Sequence, residues 1–125
     1  MIKFPKLAYP NFFCRRIIMN EAKELPNCPV TATVSLIHGK WKPLIIRNLL
    51  NKPKRFSELQ NSLEGISRKV LTANLKAMEK DGIIVRTVYP KISHYVEYSL
   101  SKLGESLRPI INDIEKWGLM YRDER

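Results

Sequence analysis

The most informative segment of the chain is residues 55–100, RFSELQNSLEGISRKVLTANLKAMEKDGIIVRTVYPKISHYVEYSL. Its first part predicts a short helix over about residues 57–63, opened by a capping box in which Ser57 and Gln60 each bond the other's backbone N–H. One stripe of this helix is apolar and is expected to be buried: Phe56, Leu59, Leu63 and Ile66. Gly65 should end the helix, because glycine readily adopts the left-handed backbone found at helix C-termini.

A second helix is predicted over residues 67–81, with Ser67 as its N-cap and Gly82 after its end. Leu71, Leu75 and Met78 share one face, which should turn toward the core. The opposite face carries positive charges, a hydroxyl and a small methyl group: Arg68, Lys69, Thr72, Ala73, Lys76 and Lys80. Such a face can approach a nucleic-acid groove closely, because ammonium groups reach phosphates or guanine edges there.

Residues 83–100 are rich in β-branched and aromatic side chains, which predicts a two-stranded ribbon. Residues 90–93 interrupt the run and predict a four-residue tip. A basic hairpin directly after a basic helix is typical of the wing of a winged helix-turn-helix, which lies on the DNA backbone or in the minor groove. The predicted DNA-binding residues are Ser67, Arg68, Lys69, Thr72, Ala73, Lys76, Arg86, Lys91 and His94. The alternative is that these are ordinary solvated charges on a small α+β domain.

We call residues 55–100 the reading module. The net positive charge of the chain is concentrated in and around this module. The chain has 125 residues, 44% of them hydrophobic, with a net charge of +10. Residues 31–100 contain twelve basic and five acidic residues, whereas residues 101–125 contain five of each. An excess of positive charge on the predicted reading module is expected for a polyanionic partner. A fold that presents the same helix to another protein is the alternative function.

Several classes of function lack their sequence signals. No histidine has a triad-like context, no carboxylates are paired at a fixed spacing, and no glycine-rich phosphate loop occurs, so an enzyme is not predicted. The two cysteines and two histidines lack zinc-ligand spacing, and no cofactor is expected. RNA binding is disfavoured because no aromatic platform interleaves the basic face. No targeting or membrane segment is visible, and a cytoplasmic protein is expected.

Two more helices are predicted ahead of the reading module. Cys28 should be the N-cap of the first, with Pro29 at its first position and Gly39 after its end. The second should cover about residues 40–51, with Trp41 in the core. A short strand over residues 54–56 would then border the wing. The predicted fold class is therefore mainly α with a small β-hairpin wing, an α+β winged helix-turn-helix.

A long C-terminal helix is predicted over residues 101–125, capped by Ser101 and kinked at Pro109. Its apolar stripe is longer than so small a domain can cover: Leu103, Leu107, Ile110, Ile111, Ile114, Trp117 and Tyr121. We expect this stripe to bind the same helix of a second copy, although a helix folded back on its own domain is the alternative. A two-fold dimer would place two recognition helices roughly 34 Å apart, one turn of duplex DNA.

The motifs also resemble a known family. The runs CPVTATVSLIHGKWKPLIIRNLL, KRFSELQ, GISRKVLTANLKAMEKDGII, RTVYP and VEYSLSKLGESLRPII, followed by WG, resemble the HxlR-type winged helix-turn-helix regulators of bacteria over residues 28–118. The resemblance implies a homodimeric regulator that binds double-stranded DNA at a pseudo-palindromic operator, with helix 67–81 in the major groove. It also aligns Cys28 with a cysteine that several members use to sense oxidants, electrophiles or quinones.

Cys28 has independent interest, because the positive end of a helix dipole lowers the pKa of a thiol at its N-terminus. The alternative is a small hydrophobic residue beside a cap. Cys14 departs from the family pattern, and a disulfide between the two cysteines is not expected in a reducing compartment. We expect residues 1–27 to be an N-terminal extension and residues 28–125 the winged domain. Met19 would make a conventional start, with residues 1–18 an upstream extension.

Overall fold

The structure is a computed structural model that describes residues 26–124. The chain divides into two compact units, Met1–His38 and Gly39–Arg125, each defined by the contacts among its own residues. The expectations for Cys14, for Met19 and for residues 1–18 lie outside the described residues. The predicted boundary between residues 27 and 28 stays a prediction.

The described part of the first unit contains one helix, α1, Pro29–Ile37. Cys28 is its N-cap with an extended backbone, and Pro29 occupies the first turn, where a missing N–H removes no helical hydrogen bond. The first helical hydrogen bond runs from the Ala32 N–H to the Cys28 carbonyl, 2.8 Å. These features confirm the predicted start of the helix, which ends at Ile37 with His38 as its C-cap, just before Gly39.

The second unit contains five helices and three strands within residues 39–124. In chain order they are α2 Lys42–Asn51, β1 Lys54–Arg55, α3 Phe56–Ser62, α4 Arg68–Lys80, β2 Ile84–Val88, β3 Val96–Leu100, α5 Lys102–Glu105 and α6 Arg108–Glu124. The strands form an antiparallel sheet in the order β1-β3-β2. The predicted α+β winged helix-turn-helix is thereby confirmed, including the short strand that borders the wing.

The core of this unit lies between α2, α3, α4 and the base of the wing. Its most deeply buried side chains are Ile45, Ile46, Leu59, Leu71, Leu75, Met78 and Ile83. Trp41, predicted to be a core residue, is only half-buried and carries the Lys40 ammonium 4.7 Å above its ring. Trp41 precedes α2 as its N-cap residue, so it lies at the edge of the packed helix rather than within it.

The start of α3 differs from the prediction. The N-cap is Arg55 and not Ser57, and the Arg55 N–H donates to the Glu58 carboxylate at 2.8 Å. The acidic residue three positions after the cap is therefore Glu58, so the predicted Ser57–Gln60 box is wrong by two residues. The reason is non-local, because β1 pairs with β3 through Arg55 and fixes the extended residue from which the helix begins.

The predicted single C-terminal helix is two helices. Ser101 does cap, since its Oγ accepts from the Gly104 N–H at 3.0 Å, but α5 ends at Glu105. Pro109 lies in the first turn of α6, where proline is tolerated, instead of kinking a continuous helix. Without an N–H, Pro109 cannot continue the hydrogen bonding of α5, and the chain turns at residues 106–107.

The tip of the wing is longer than predicted. Beyond the strands, the Tyr89 N–H still donates to the Tyr95 carbonyl at 3.0 Å, which leaves residues 90–94 as a five-residue tip. Two successive turns form it, closed by bonds from the Ile92 N–H to the Tyr89 carbonyl and from the Tyr95 N–H to the Ile92 carbonyl. His94 takes a left-handed backbone with φ of 58°, which accommodates the extra residue.

Candidate nucleic-acid interface

The inward-facing side of α4 is buried in the hydrophobic core. Leu71, Leu75 and Met78 are at most 2% exposed, as the helical period predicts. The Ser67 hydroxyl accepts from the Val70 N–H at 3.1 Å and confirms the predicted N-cap. The helix is therefore held in one rotation about its axis, and the residues that it presents to solvent are fixed.

The outward side of α4 is a row of lysines. Lys69, Lys76 and Lys80 are exposed, and at about 100° per residue they lie within about 40° of one another around the helix. Ala73 is exposed beside them, and Thr72 is half-buried at the edge of the row. The structure thus brings together the residues predicted for this face of the helix.

Arg68 contacts an aromatic ring at the start of the neighbouring helix, α3. It is the first residue of α4, and its guanidinium carbon lies 4.9 Å from the centre of the Phe56 ring at the start of α3. A cation held over an aromatic face is attracted by the ring quadrupole while its N–H groups stay available at the edge of the plane. Arg68 therefore extends the positive surface from α4 toward α3.

The wing residues are more dispersed. Arg86 is exposed on β2, opposite Tyr98 in the register, whereas Lys91 and His94 are exposed at the tip. The strand β2 packs beside α4, and the Ile83 N–H donates to the Met78 carbonyl, 2.9 Å, where helix passes into wing. The structure thus places the base of the wing against α4 but does not gather these three side chains into one cluster.

The cations of α4 and the wing lack acidic partners. Within residues 26–124 the ion pairs are Arg47–Glu115 at 4.0 Å and Arg108–Glu105 at 2.9 Å, and both involve α2, α5 or α6. No carboxylate of the described residues lies within 4.0 Å of the charged groups of the lysines and arginines on α4, on β2 or at the wing tip. Their charge is therefore available to an external anion.

Sequence reasoning missed one cation beside this surface. Arg55 is exposed on β1, with its guanidinium carbon 4.6 Å from the centre of the Tyr95 ring on the wing. Its partner is forty residues away in the chain and is brought close by the pairing of β1 with β3. The available signal was the predicted strand at residues 54–56, which placed Arg55 next to the wing without indicating what it contacts.

Cys28 lies in the first unit and is an exposed free thiol. Its sulfur makes no capping hydrogen bond of ordinary geometry. The Thr31 N–H, the Thr31 hydroxyl and the Val30 N–H nevertheless favour a thiolate and hold the pKa of Cys28 below that of an ordinary cysteine. The thiol at the helix N-terminus thus has the direction of pKa shift that the dipole argument predicted.

The apolar residues predicted for dimerisation fall into two groups. Leu107 and Ile111 are buried within the chain itself, at 9% and 3% exposure, so little of either side chain is available to a second copy. The remaining five are more than a third exposed: Leu103, Ile110, Ile114, Trp117 and Tyr121. All of these except Leu103 lie on α6, within about 60° around the helix: Ile110, Ile114, Trp117 and Tyr121. The Trp117 and Tyr121 rings stack with their centres 5.2 Å apart. We call these four residues of α6 the apolar face.

The described residues offer neither a metal site nor a membrane-spanning helix. No cluster of histidine, cysteine, aspartate and glutamate that could bind a metal ion occurs among residues 26–124. No helix in this part of the chain is both long enough and apolar enough to cross a membrane.

Comparisons with known proteins agree with this architecture. The HxlR-like helix-turn-helix family profile matches residues 36–125. The HTH-type transcriptional regulator YdeP of Bacillus subtilis is 38% identical over 100 residues, covering 80% of this chain and 78% of YdeP. The redox regulator HypR in its reduced form is 38% identical with a TM-score of 0.74, covering 77% of this chain and 95% of HypR.

A further solved structure is the quinone-bound form of YodB from B. subtilis, at 31% identity and a TM-score of 0.64. It covers 74% of this chain and 99% of YodB. YdeP and YodB are transcriptional regulators, a class of proteins that are not enzymes. From the match over residues 36–125 and from these relatives, the chain belongs to the HxlR-like helix-turn-helix family.

Proposed function

We propose that the protein is a homodimeric transcriptional regulator that binds double-stranded DNA at a pseudo-palindromic operator. Residues 67–81 enter the major groove, and the wing, residues 83–100, lies on the backbone or in the minor groove. The observation that carries the proposal is the exposed lysine row of α4, whose charges have no acidic partner within residues 26–124.

Each residue on α4 has a definite chemical use in a groove. Lys69 and Lys76 can donate to the O6 and N7 acceptors of guanine or to phosphates, and the Ala73 methyl can contact thymine. The Ser67 hydroxyl accepts from the Val70 N–H and keeps its own hydrogen for a phosphate oxygen. A major groove about 12 Å wide admits such a helix, and small side chains between the lysines allow close approach.

The apolar face of α6 supports the dimer. Ile114 and Trp117 are 49% and 59% exposed, and they lie in line with Ile110 and Tyr121 on a helix of 17 residues. An apolar stripe of this length on a small domain marks an interaction surface. A second copy of the same helix is the occupant that also explains operator symmetry, because two-fold pairing presents two recognition helices to two half-sites.

Selection of genomic fragments by the full-length protein tests the DNA-binding proposal. We expect an inverted repeat that is bound more tightly than about 0.1 μM, with affinity falling steeply as salt rises. Lys69→Ala and Lys76→Ala should each weaken operator binding by about 1–3 kcal/mol for a lost base contact. Lys102→Ala on α5 is the matched control, since it removes the same charge outside α4 and the wing. Equal effects in all three variants would contradict the assignment of the reading face.

We further propose that Cys28 makes the protein responsive to thiol-reactive compounds. The support is an exposed thiol of lowered pKa, together with the redox regulator HypR and the quinone-bound YodB among similar structures. Thiolate is the reactive form, so a lowered pKa raises reactivity near neutral pH. Oxidant should alter operator binding by the wild type and leave Cys28→Ser unchanged. If both proteins respond equally, or neither responds, Cys28 is not the sensor.

A further inference from the structure

We propose that Arg55 is an additional DNA-phosphate contact, held in place by an aromatic and acidic cluster on the wing. The inference rests on the proposed function and deepens it, because it adds a residue outside α4 to the DNA-binding surface. We call the set Arg55, Tyr89, Tyr95 and Glu97 the wing cluster.

The sheet register places the wing cluster on one side of the wing. Arg55 of β1 pairs directly with Glu97 of β3, and directly paired residues point to the same face of a sheet. Tyr89 and Tyr95 extend the same ladder toward the tip, since the Tyr89 N–H donates to the Tyr95 carbonyl. The four residues therefore converge although they come from two distant segments of the chain.

The contacts within the wing cluster form a chain. The Arg55 guanidinium carbon is 4.6 Å from the Tyr95 ring centre, and the Tyr95 ring meets the Tyr89 ring edge-on at 5.3 Å. The Tyr89 hydroxyl donates to the Glu97 carboxylate at 3.0 Å. That carboxylate also raises the pKa of Tyr89 through this hydrogen bond. The contact with Tyr89 thus holds the Tyr95 ring in place, and the Tyr95 ring in turn positions the Arg55 guanidinium.

The two carboxylates near Arg55 accept hydrogen bonds from groups other than its guanidinium. Glu58 accepts the Arg55 backbone N–H, and Glu97 accepts the Tyr89 hydroxyl. Among the described residues no carboxylate lies within 4 Å of the Arg55 guanidinium, so its charge is not paired. The cation–π contact with Tyr95 uses no oxygen acceptor, so the N–H donors of the guanidinium can still bond the oxygens of a phosphate.

Position favours the DNA backbone as the source of that phosphate. Arg55 directly precedes Phe56, whose ring carries Arg68 at the first position of α4. Arg55 and Arg68 therefore both lie next to the start of α3, one in contact with the wing and the other at the first position of α4. A phosphate contact at this point would bind the wing and the helix-turn-helix to the same strand while reading no base.

The test measures operator affinity at several salt concentrations for the full-length wild type and for Arg55→Ala. Each lost phosphate contact should reduce the slope of log K against log salt by about 0.9, which is about 1.8 for a dimer. Binding should weaken by the same factor on the operator and on unrelated duplexes. Arg55→Lys, which keeps the charge but not the planar fork, should fall between wild type and Arg55→Ala.

Two further variants complete the design. Tyr95→Leu leaves the charge of Arg55 intact and removes its aromatic support, so affinity should fall while the salt slope stays nearer that of the wild type. Arg47→Ala removes an arginine that is already paired with Glu115 and should leave the slope unchanged. Circular dichroism of each variant checks the fold, and Arg55→Gln replaces Arg55→Ala if the latter does not fold.

The inference is overturned if the wild type binds its operator and Arg55→Ala, or its glutamine substitute, retains the same affinity and slope. A change confined to one base position would also overturn it, because Arg55 would then read sequence. If the wild type binds no duplex at low salt, the proposed function itself fails and this inference fails with it.

Discussion

Gly104 is the position at which one added methyl group should most strongly destabilise the second unit. It is buried in α5, and a Cβ built there would lie 2.2 Å from the Ile83 carbonyl oxygen and 3.0 Å from the Leu100 side chain. Non-bonded carbon and oxygen atoms approach to about 3.3 Å, so Gly104→Ala requires a displacement of about 1 Å. The atoms that must move join the end of α4 to the wing and to α5.

The magnitude follows from the contacts that this displacement disrupts. The Ser101 N–H donates to the Ile83 carbonyl at 2.9 Å, and the Ser101 hydroxyl donates to the Gly82 carbonyl at 2.6 Å. Each such bond is worth about 0.5–1.5 kcal/mol net, and overpacking costs about 1–3 kcal/mol. Alanine regains up to about 1 kcal/mol over glycine through its helix propensity. We therefore expect Gly104→Ala to lower the free energy of unfolding by about 2–4 kcal/mol.

Thermal unfolding followed by circular dichroism measures this effect. For a chain of this size the loss corresponds to a Tm lower by about 10 °C. Lys102→Ala is the matched control, since it places alanine two residues earlier in the same helix at an exposed position and should change stability by less than about 0.5 kcal/mol. A Gly104→Ala protein as stable as the control would refute the close approach of α5 to the Ile83 carbonyl.

Three further predictions address the cap, the thiol and the dimer. Ser67→Ala removes the hydroxyl that accepts from the Val70 N–H and should cost about 1 kcal/mol in denaturant unfolding, whereas an unchanged midpoint would show that the cap is dispensable. Because its pKa is lowered, Cys28 should be alkylated at a lower pH in the folded protein than in urea, and Thr31→Val should raise that pH; mass spectrometry of the Cys28 peptide reads the rate, and identical pH profiles would contradict the shift. Ile114→Asp, at a position 49% exposed in the protomer, should halve the mass measured by light scattering while the fold persists, and a persistent dimer would place the interface elsewhere.

Local signals predicted α4 well. The hydroxyl of Ser67 and the glycine at position 82 bracket the helix, and the observed Arg68–Lys80 falls inside the expected residues 67–81. Capping and helical period act within a few residues, so the sequence contains all the information they need. The outward lysine row follows from the same period once the buried face is known.

Non-local contacts explain what the sequence did not predict. The start of α3 depends on the pairing of Arg55 with β3, and the contact between Arg55 and Tyr95 spans forty residues. In the same way, an apolar period along α6 cannot separate the residues that pack on their own protomer from those left exposed. Ile111 belongs to the first group, together with Leu107 in the turn before α6, and Ile114 belongs to the second group. The packing of α6 against α2 decides which side of the helix is buried.

Charge is distributed differently on the two proposed surfaces, the dimer surface on α6 and the DNA-binding surface on α4 and the wing. Two acidic residues of α5 and α6 pair with arginines, Glu105 with Arg108 and Glu115 with Arg47. Residues 101–125 contain as many basic as acidic residues, so this region contributes little net field. Arg108 also donates to the Leu50 carbonyl at 3.1 Å, which ties α6 to the end of α2. Around α4 and the wing, in contrast, the described residues form no ion pair, and Arg55 and Arg68 lie against aromatic rings. A neutral, apolar surface suits contact with an identical protein surface, whereas unneutralised cations suit a polyanion, and the excess of positive charge in residues 31–100 follows from that separation.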